Sequence, residues 1–453
     1  MMSRHGVVAA ALAVASMAAL LVAAQPPQAA TPDVASGARL AFKRPAGLPD
    51  RGGLLPADAV VDLGRMLFND VRLSGDGTMS CATCHQAQLA FTDGQPRHAG
   101  RNGKPLARNT PHLWNLAWSE TLFWDGRAKT LEQQAAGPIE NAAEMAGQLP
   151  VVVERLKADP KAADAFVRAF PARPVADAEG LVAALAAFER TLVSPLTRFD
   201  QWVSGDEAAL DHDEKAGFAL FAGKAQCTSC HSGWRFTDEA FHDIGLPDTG
   251  DLGRGTALDL RAADHGFKTP SLRELAWTSP YMHDGSLATL DAVIDHYAGS
   301  VTARPTLSKD MPPVLSLSQE ERQQLIAFLG TLSSETPPRP PATIPKVEVA
   351  GGGAAEPSVP TLTVGQRDKQ FSPKRVTLAA GQSLTIVNDD KRTHNVRIDD
   401  PRMPFTSNAQ EPGDIVVIPF PLPGEFGVIC SIHPAMHLSV KVEDGTSVSA
   451  KAR

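Results

Sequence analysis

Cysteine placement constrains this 453-residue chain more than any other feature. Four of its five cysteines fall into two Cys-x-x-Cys-His strings, Cys81-Ala82-Thr83-Cys84-His85 and Cys227-Thr228-Ser229-Cys230-His231. The fifth opens the string Cys430-Ser431-Ile432-His433-Pro434-Ala435-Met436. In the first pattern the two thiols can form thioethers with the vinyl groups of a porphyrin, and the adjoining His becomes the proximal iron ligand. One copy also fits a redox dithiol or half of a zinc site, the latter needing further His or Cys ligands. Two copies, each with its His, point to two covalent haems c, one on Cys81, Cys84 and His85, the other on Cys227, Cys230 and His231. With every cysteine assigned, no internal disulfide is expected.

The rest of the chain is organised around these strings. Its length corresponds to about three domains. With 43 Lys and Arg against 51 Asp and Glu, the net charge of −8 argues against a nucleic-acid binder. Residues 1–30 carry Arg4, an apolar run from Val7 to Ala24 and then Gln25-Pro26-Pro27, which reads as a cleaved secretory signal peptide, with an uncleaved anchor as the rival. Export to the periplasm suits covalent haem, which bacteria assemble outside the cytoplasmic membrane. The expected layout is a multidomain chain: two mainly α cytochrome c-like modules (31–205 and 206–334), a Pro/Gly-rich linker (335–357), an all-β domain (358–446) and a tail (447–453). Apolar residues at three- and four-residue steps in 153–156 and 181–192 predict helices. Short β-branched runs at 376–378, 383–387, 414–418 and 438–442 predict a β-sandwich. Leu67-Phe68 before Cys81 and Leu220-Phe221 before Cys227 form a loose repeat, each ending a helix that leads into a Cys-x-x-Cys-His string.

Further strings carry a resemblance: Arg72-Leu73-Ser74-Gly75, Arg108-Asn109-Thr110-Pro111, Phe123-Trp124-Asp125-Gly126-Arg127, Gly137-Pro138-Ile139, Glu144-Met145 and Pro280-Tyr281-Met282-His283-Asp284-Gly285. With them, residues from about 45 to 333 resemble the bacterial di-haem cytochrome c peroxidases, a family that includes the MauG-type enzymes. The resemblance implies a peroxidatic first haem and an electron-relaying second haem. It implies that Trp124 lies between the haems, that Glu144 sits distal to the first iron with Gln134 nearby, and that Asn109, Thr278 and Pro280 bind an interhaem calcium through oxygen, as a hard cation prefers. Glu144 suits the chemistry, because heterolysis of peroxide needs a proton moved from the inner to the outer oxygen. The competing readings are a core Trp and a solvated helical Glu.

Two positions depart from the peroxidases proper. Where those place a loop His on the first iron, this chain has Arg101, with His98 three residues earlier as a shifted candidate. The loop also holds Gly94, Gly100 and Gly103 and reads as mobile surface, which favours a first iron without a protein sixth ligand. Where those place Met on the second iron, this chain has Tyr297, as MauG-type enzymes do. Leu287, Leu290, Ile294 and Tyr297 are expected on one helix face, with His296 as the rival ligand and a core aromatic as the alternative for Tyr297. An oxygen ligand implies a lower haem potential than Met, which raises it.

Cys430, His433 and Met436 on one tight loop, with His394 upstream, make the set of a type 1 copper site: two His and a Cys in a plane with a weak axial Met. His437 competes with Met436 for the axial position. Residues 358–445 resemble the cupredoxins, the short ligand loop being nearest to amicyanin and plastocyanin-like proteins. His112, His212, His242, His265 and His283 are assigned by default to structural or surface roles. The expected function is periplasmic reduction of hydrogen peroxide at the first haem, fed by the tethered copper. The rivals are MauG-type oxidation of a protein or organic substrate and a non-catalytic electron carrier or redox sensor. Partners are peroxide and a soluble redox partner or protein substrate.

Overall fold

The computed structural model describes Arg39 and residues 41–45, 57–311, 314–339 and 362–443, leaving out positions 393, 399, 401, 404, 408, 409, 411, 414, 421, 431, 432, 434 and 435. The expected signal peptide, most of the linker and the tail lie outside the described residues.

The haem-bearing part contains helices α1 (Asp58–Phe68), α2 (Cys81–Cys84), α3 (Leu131–Glu140), α4 (Leu149–Lys157), α5 (Pro160–Ala169), α6 (Ala178–Arg190), α7 (Arg198–Val203), α8 (His212–Ala222), α9 (Arg254–Leu258), α10 (Leu290–Gly299) and α11 (Gln319–Gly330), with a short ladder of β1 (Phe241–His242) and β2 (Phe267–Lys268). No helix among the described residues is long and apolar enough to cross a membrane.

These helices make one scaffold twice. In the first half α1 lies on α6 so closely that a Cβ on Gly64 would stand 1.9 Å from the Ala184 carbonyl oxygen. In the second, α8 lies on α11, and a Cβ on Gly217 would stand 2.0 Å from that of Gln324. Beyond the haem strings the correspondence runs position by position. Asn115 and Glu274 both take the left-handed conformation (φ 62° and 63°) ahead of the turns Leu116–Trp118 and Leu275–Trp277. Bridges Leu122–Ala128 and Tyr281–Leu287 follow, each enclosing a glycine at φ 65°, Gly126 and Gly285. Thr130 and Thr289 then cap α3 and α10, each hydroxyl accepting a backbone N–H three residues on. Leu287 therefore lies in a bridge ahead of α10, not on its face, which corrects the expected stripe: the left-handed glycine and the Thr289 cap start the helix later.

Each half has its own core. Leu67, Phe68, Phe91, Trp114 and Phe188 centre the first; Phe199, Phe218, Phe221, Phe236 and Phe328 centre the second. Phe199, Trp202 and Val203 of α7 pack in the second core, so the changeover falls between Leu192 and Phe199, ahead of the boundary expected at 205. Arg273, fully buried, locks this junction through Asp200 (2.8 and 3.0 Å).

The copper-bearing part is a sandwich of two sheets over a core that includes Val364, Ile386, Phe420, Phe426 and Val440. Its strands are β3 (Leu362–Arg367), β4 (Gln370–Ser372), β5 (Arg375–Ala379), β6 (Gln382–Asn388), β7 (Arg397–Ile398), β8 (Phe405–Thr406), β9 (Ile415–Phe420), β10 (Gly424–Ile429) and β11 (His437–Glu443). One sheet has the order β5-β11-β10-β7-β8, the other β4-β3-β6-β9. The four expected runs fall in β5, β6, β9 and β11. Alternation of buried and exposed positions along β5 and β11 is the period-2 pattern of a half-buried sheet.

Candidate haem and copper centres

One cavity of about 1150 Å³ is lined by Cys84 and His85 from the first string and by Cys227, Cys230 and His231 from the second. That exceeds the roughly 300–1,000 Å³ of a pocket for one small ligand. His85 Nδ1 donates to the Phe91 carbonyl (3.0 Å) and His231 Nδ1 to that of Phe236 (2.8 Å). Phe91 and Phe236 sit at φ 62° and 57°, a left-handed turn repeated in both halves. Fixing the proton on Nδ1 leaves Nε2 of each His as a metal ligand, and burial, which lowers both imidazoles, keeps them neutral as ligation requires. The donor sets and the space fit two haems c.

The duplicated scaffold shows how the two distal sides differ. Counting along α3 and α10 from their Thr caps, Tyr297 corresponds to Pro138, and both line the cavity. Tyr297 is near Cys227 and Cys230, and burial pushes its hydroxyl above the usual phenol range. His296 does not line the cavity; its Nε2 donates to the Ile244 carbonyl at 2.8 Å. On the first side Gln134, Pro138 and Glu144 line the wall. Burial holds the Glu144 carboxyl above the ordinary range, opposed by Arg127 and by Asn141, whose Nδ2 donates to Oε1 at 2.6 Å.

The loop expected to be mobile surface is exposed at 94–97 and 101–105 and carries several hydrogen bonds. His98 is turned to Asp93 (Nδ1–Oδ2 2.9 Å) and does not line the cavity. Arg101 pairs with Asp76 at 2.7 Å, Gly100 N–H donates to Lys104, and Asn109 Nδ2 donates to the carbonyls of Gln95 (2.9 Å) and Pro96 (3.2 Å). A Cβ on Gly100 would stand 2.5 Å from the Ala143 carbonyl oxygen, so Gly100 serves close approach, while Gly94 and Gly103, at φ 65° and 73°, serve turning.

Trp124 spans the halves. Its Nε1 donates to the Asn109 carbonyl (3.0 Å), its own carbonyl accepts from Lys268 N–H (2.8 Å), and its ring meets His283 edge-on at 6.5 Å. Asn109, Thr278 and Pro280, the expected calcium ligands, line the same cavity. Sequence reasoning missed several wall residues. His283, assigned by default to a structural or surface role, is stacked on Phe267 at 3.5 Å and held by burial down to about 4; it is the counterpart of Trp124 in the repeat. His112, likewise held down to about 4, also lines the wall, as does a buried cluster in which Glu239 pairs with Arg235 and Lys268 at 2.7 Å each. The parallel strings Asn109-Thr110-Pro111-His112-Leu113 and Lys268-Thr269-Pro270-Ser271-Leu272 were the available signal. The cluster Cys230, Asp238 and His242 shares its thiol with the second haem string and is no separate metal site.

At the copper end, His394, Cys430 and His433 converge. Cys430 Sγ lies 3.8 Å from His394 Nδ1 and 3.9 Å from His433 Nδ1, and the two nitrogens are 3.1 Å apart. Those nitrogens can share one ion at the roughly 2.0–2.1 Å typical of imidazole bound to a first-row metal. Met436 is fully buried beside Cys430, whereas His437 is exposed on β11. Two groups not found from sequence support this set: Asn395 N–H donates to Cys430 Sγ (3.4 Å), and Asp390 Oδ2 accepts from His394 Nε2 (3.1 Å), fixing that ring's orientation.

Fold and donor sets together define a di-haem c-type protein with an appended type 1 copper domain. A model of di-haem cytochrome c peroxidases matches residues 58–208, and one of copper-binding proteins of the plastocyanin/azurin family matches 360–443. The methylamine utilization protein MauG of Methylorubrum extorquens is 49% identical over 296 residues, which span 65% of this chain and 84% of that protein. Cytochrome c551 peroxidase of Pseudomonas aeruginosa is 34% identical over 287 residues, 61% of this chain and 79% of that one. The crystal structure of a MauG-like protein associated with microbial copper homeostasis superposes with a TM-score of 0.57 at 33% identity, covering 65% of this chain and 93% of that one. The chain belongs to the di-haem cytochrome c peroxidase/MauG family and is an oxidoreductase acting on peroxide.

Proposed function

We propose that this protein reduces hydrogen peroxide to water at the haem held by His85, with electrons from copper held by His394, Cys430, His433 and Met436 passing through the haem held by His231. The observation that carries this reading is the contrast between the distal walls: Pro138 and a half-buried Glu144 at one end, Tyr297 at the other. Bound iron supplies the electron exchange that breaks the O–O bond. Glu144 takes the proton from the inner peroxide oxygen and returns it to the outer one, so it must start ionised. The Gln134 amide orients the peroxide, Trp124 carries electrons between the halves, and Tyr297 would help His231 hold the second haem, leaving no place there for peroxide. An interhaem calcium would take oxygens from Asn109, Thr278 and Pro280. The two haem modules, the linker and the copper domain act in the periplasm, after export directed by residues 1–30. A tether gives the copper domain an effective concentration on the order of millimolar, replacing a diffusing donor.

A second reading, peroxide-driven oxidation of a protein or organic substrate, is favoured by Tyr297 and by the 49% identity to MauG. Peroxide turnover measured with copper-loaded and copper-free protein, with stopped-flow mixing, separates them. Rapid copper(I) oxidation on mixing with peroxide supports the first. A long-lived oxidised protein that copper(I) does not quench supports the second. No haem response to peroxide defeats both and leaves an electron carrier.

A further inference from the structure

We infer that the copper domain docks on the second-haem half through the ion pair Arg397–Asp310, and that electrons cross from copper to haem at this contact; the inference rests on the copper-relay reading above. Arg397 Nη1 lies 3.5 Å from Asp310 Oδ1, joining the sandwich to the haem-bearing part across the segment 340–361.

Both partners are tied to metal sites. Arg397 pairs in register with Ile429, the residue before Cys430, and stands two residues after Asn395, whose N–H donates to the Cys430 sulfur. On the other side Asp310 and Met311 line the haem cavity. Their loop is rigid: Arg304 grips Asp243 (2.6 and 2.7 Å), Thr306 Oγ1 donates to the same carboxylate (2.7 Å), and Ser308 N–H donates to the Asp243 carbonyl (2.9 Å). Farther along, Leu315 N–H donates to the backbone carbonyl of Tyr297 itself (3.2 Å). From the thiolate, the Asn395 N–H, the chain on to Arg397 and the ion pair with Asp310 therefore make a route to the wall of the haem cavity. It enters the half containing Tyr297, the half the relay reading assigns to electron transfer.

The strength of the contact suits this role. Side-chain exposure is 38% at Arg397 and 41% at Asp310, so the pair is a rim interaction that orients and steers more than it binds. A domain already tethered needs no more, and a weak contact lets it leave to collect the next electron. The step is a single electron transfer: copper(I) becomes copper(II), ferric iron becomes ferrous, and no bond or proton moves.

The test uses full-length, copper-loaded holoprotein with ferric haems. Copper is reduced by a radiolytic pulse, and the copper and haem absorption bands are followed at several protein dilutions. In the wild type the transfer should be independent of dilution and slowed by salt, which screens exposed pairs. Arg397→Glu and Asp310→Arg should each slow it about two- to fivefold, the range for an exposed pair. The double variant, with the charges exchanged, should recover most of the rate. Unchanged rates in both single variants, or a double variant slower than either, would overturn the docking contact while leaving the relay intact. A shifted copper potential in Arg397→Glu would move the effect to the copper site and also overturn it. Wild-type copper that never reduces a haem would instead defeat the relay reading.

Discussion

The two haem halves share a scaffold and differ in what projects from it. The same glycine contacts seat α1 on α6 and α8 on α11, and the same left-handed turns and Thr caps lead into α3 and α10. At matched positions the first half has Trp124 and Pro138 where the second has His283 and Tyr297. A proline offers no ligand atom, whereas the Tyr297 phenol, near Cys227 and Cys230, is the oxygen that the proposed function assigns to an iron at His231. On the proposed assignment, a repeated frame is open at one end and closed at the other through the side chain at one matched helix position.

The strongest way to break this comparison is Glu144→Gln, which should cut peroxide turnover by about 10²–10⁴-fold, the usual contribution of a positioned acid–base group. Because burial raises Glu144, wild-type activity should fall as pH drops through a value above the ordinary carboxylate range, as protonation removes the base. Steady-state pH profiles should show that acid limb in the wild type and not in the variant; an unaltered rate removes Glu144 from the mechanism.

Removing the Asp390 carboxylate extends the comparison to the copper site, where ring orientation is also set from behind. Asp390→Ala should weaken copper binding by about 10–100-fold, measured by competitive titration. Tyr297→Met should raise the potential of the second haem alone, because thioether ligation favours the reduced iron. Spectroelectrochemistry that finds both haems unmoved would exclude Tyr297 as a ligand. The smallest effects concern the frame. Gly64→Ala and Gly217→Ala should each cost about 1–3 kcal/mol of stability in denaturant titrations, since each methyl meets a backbone carbonyl. A large cost at one and none at the other would mean the halves are not packed alike.

What could be read from sequence was what is local in sequence. The haem strings and the Cys430–Met436 loop keep their ligands within a few residues, so spacing alone exposes them. Glu144, Gln134 and Trp124 have no such spacing and emerged only through resemblance. The duplication from Asn109 to Glu140 and from Lys268 to Gly299 was visible in the letters, yet hydrophobic periodicity does not detect it. Its repeated signals are left-handed turns at Asn115 and Glu274 and caps at Thr130 and Thr289. The same blindness put Leu287 on a helix that starts three residues later. The stacking of His283 on Phe267 and the Arg397–Asp310 pair depend on chain segments brought together by folding, whereas Asp390 stands only four residues before His394 and went unread. The loop around Gly100 is surface as expected, exposed at 94–97 and 101–105, but the close approach of Gly100 to the Ala143 carbonyl could not be told from a glycine alone.

The most direct test of the open-and-closed assignment is a titration of oxidised holoprotein with cyanide, followed by the low-spin haem signals in electron paramagnetic resonance. The account predicts that one haem, the one on His85, binds cyanide while the one on His231 does not. Binding at both irons, at neither, or at the His231 haem alone would contradict it.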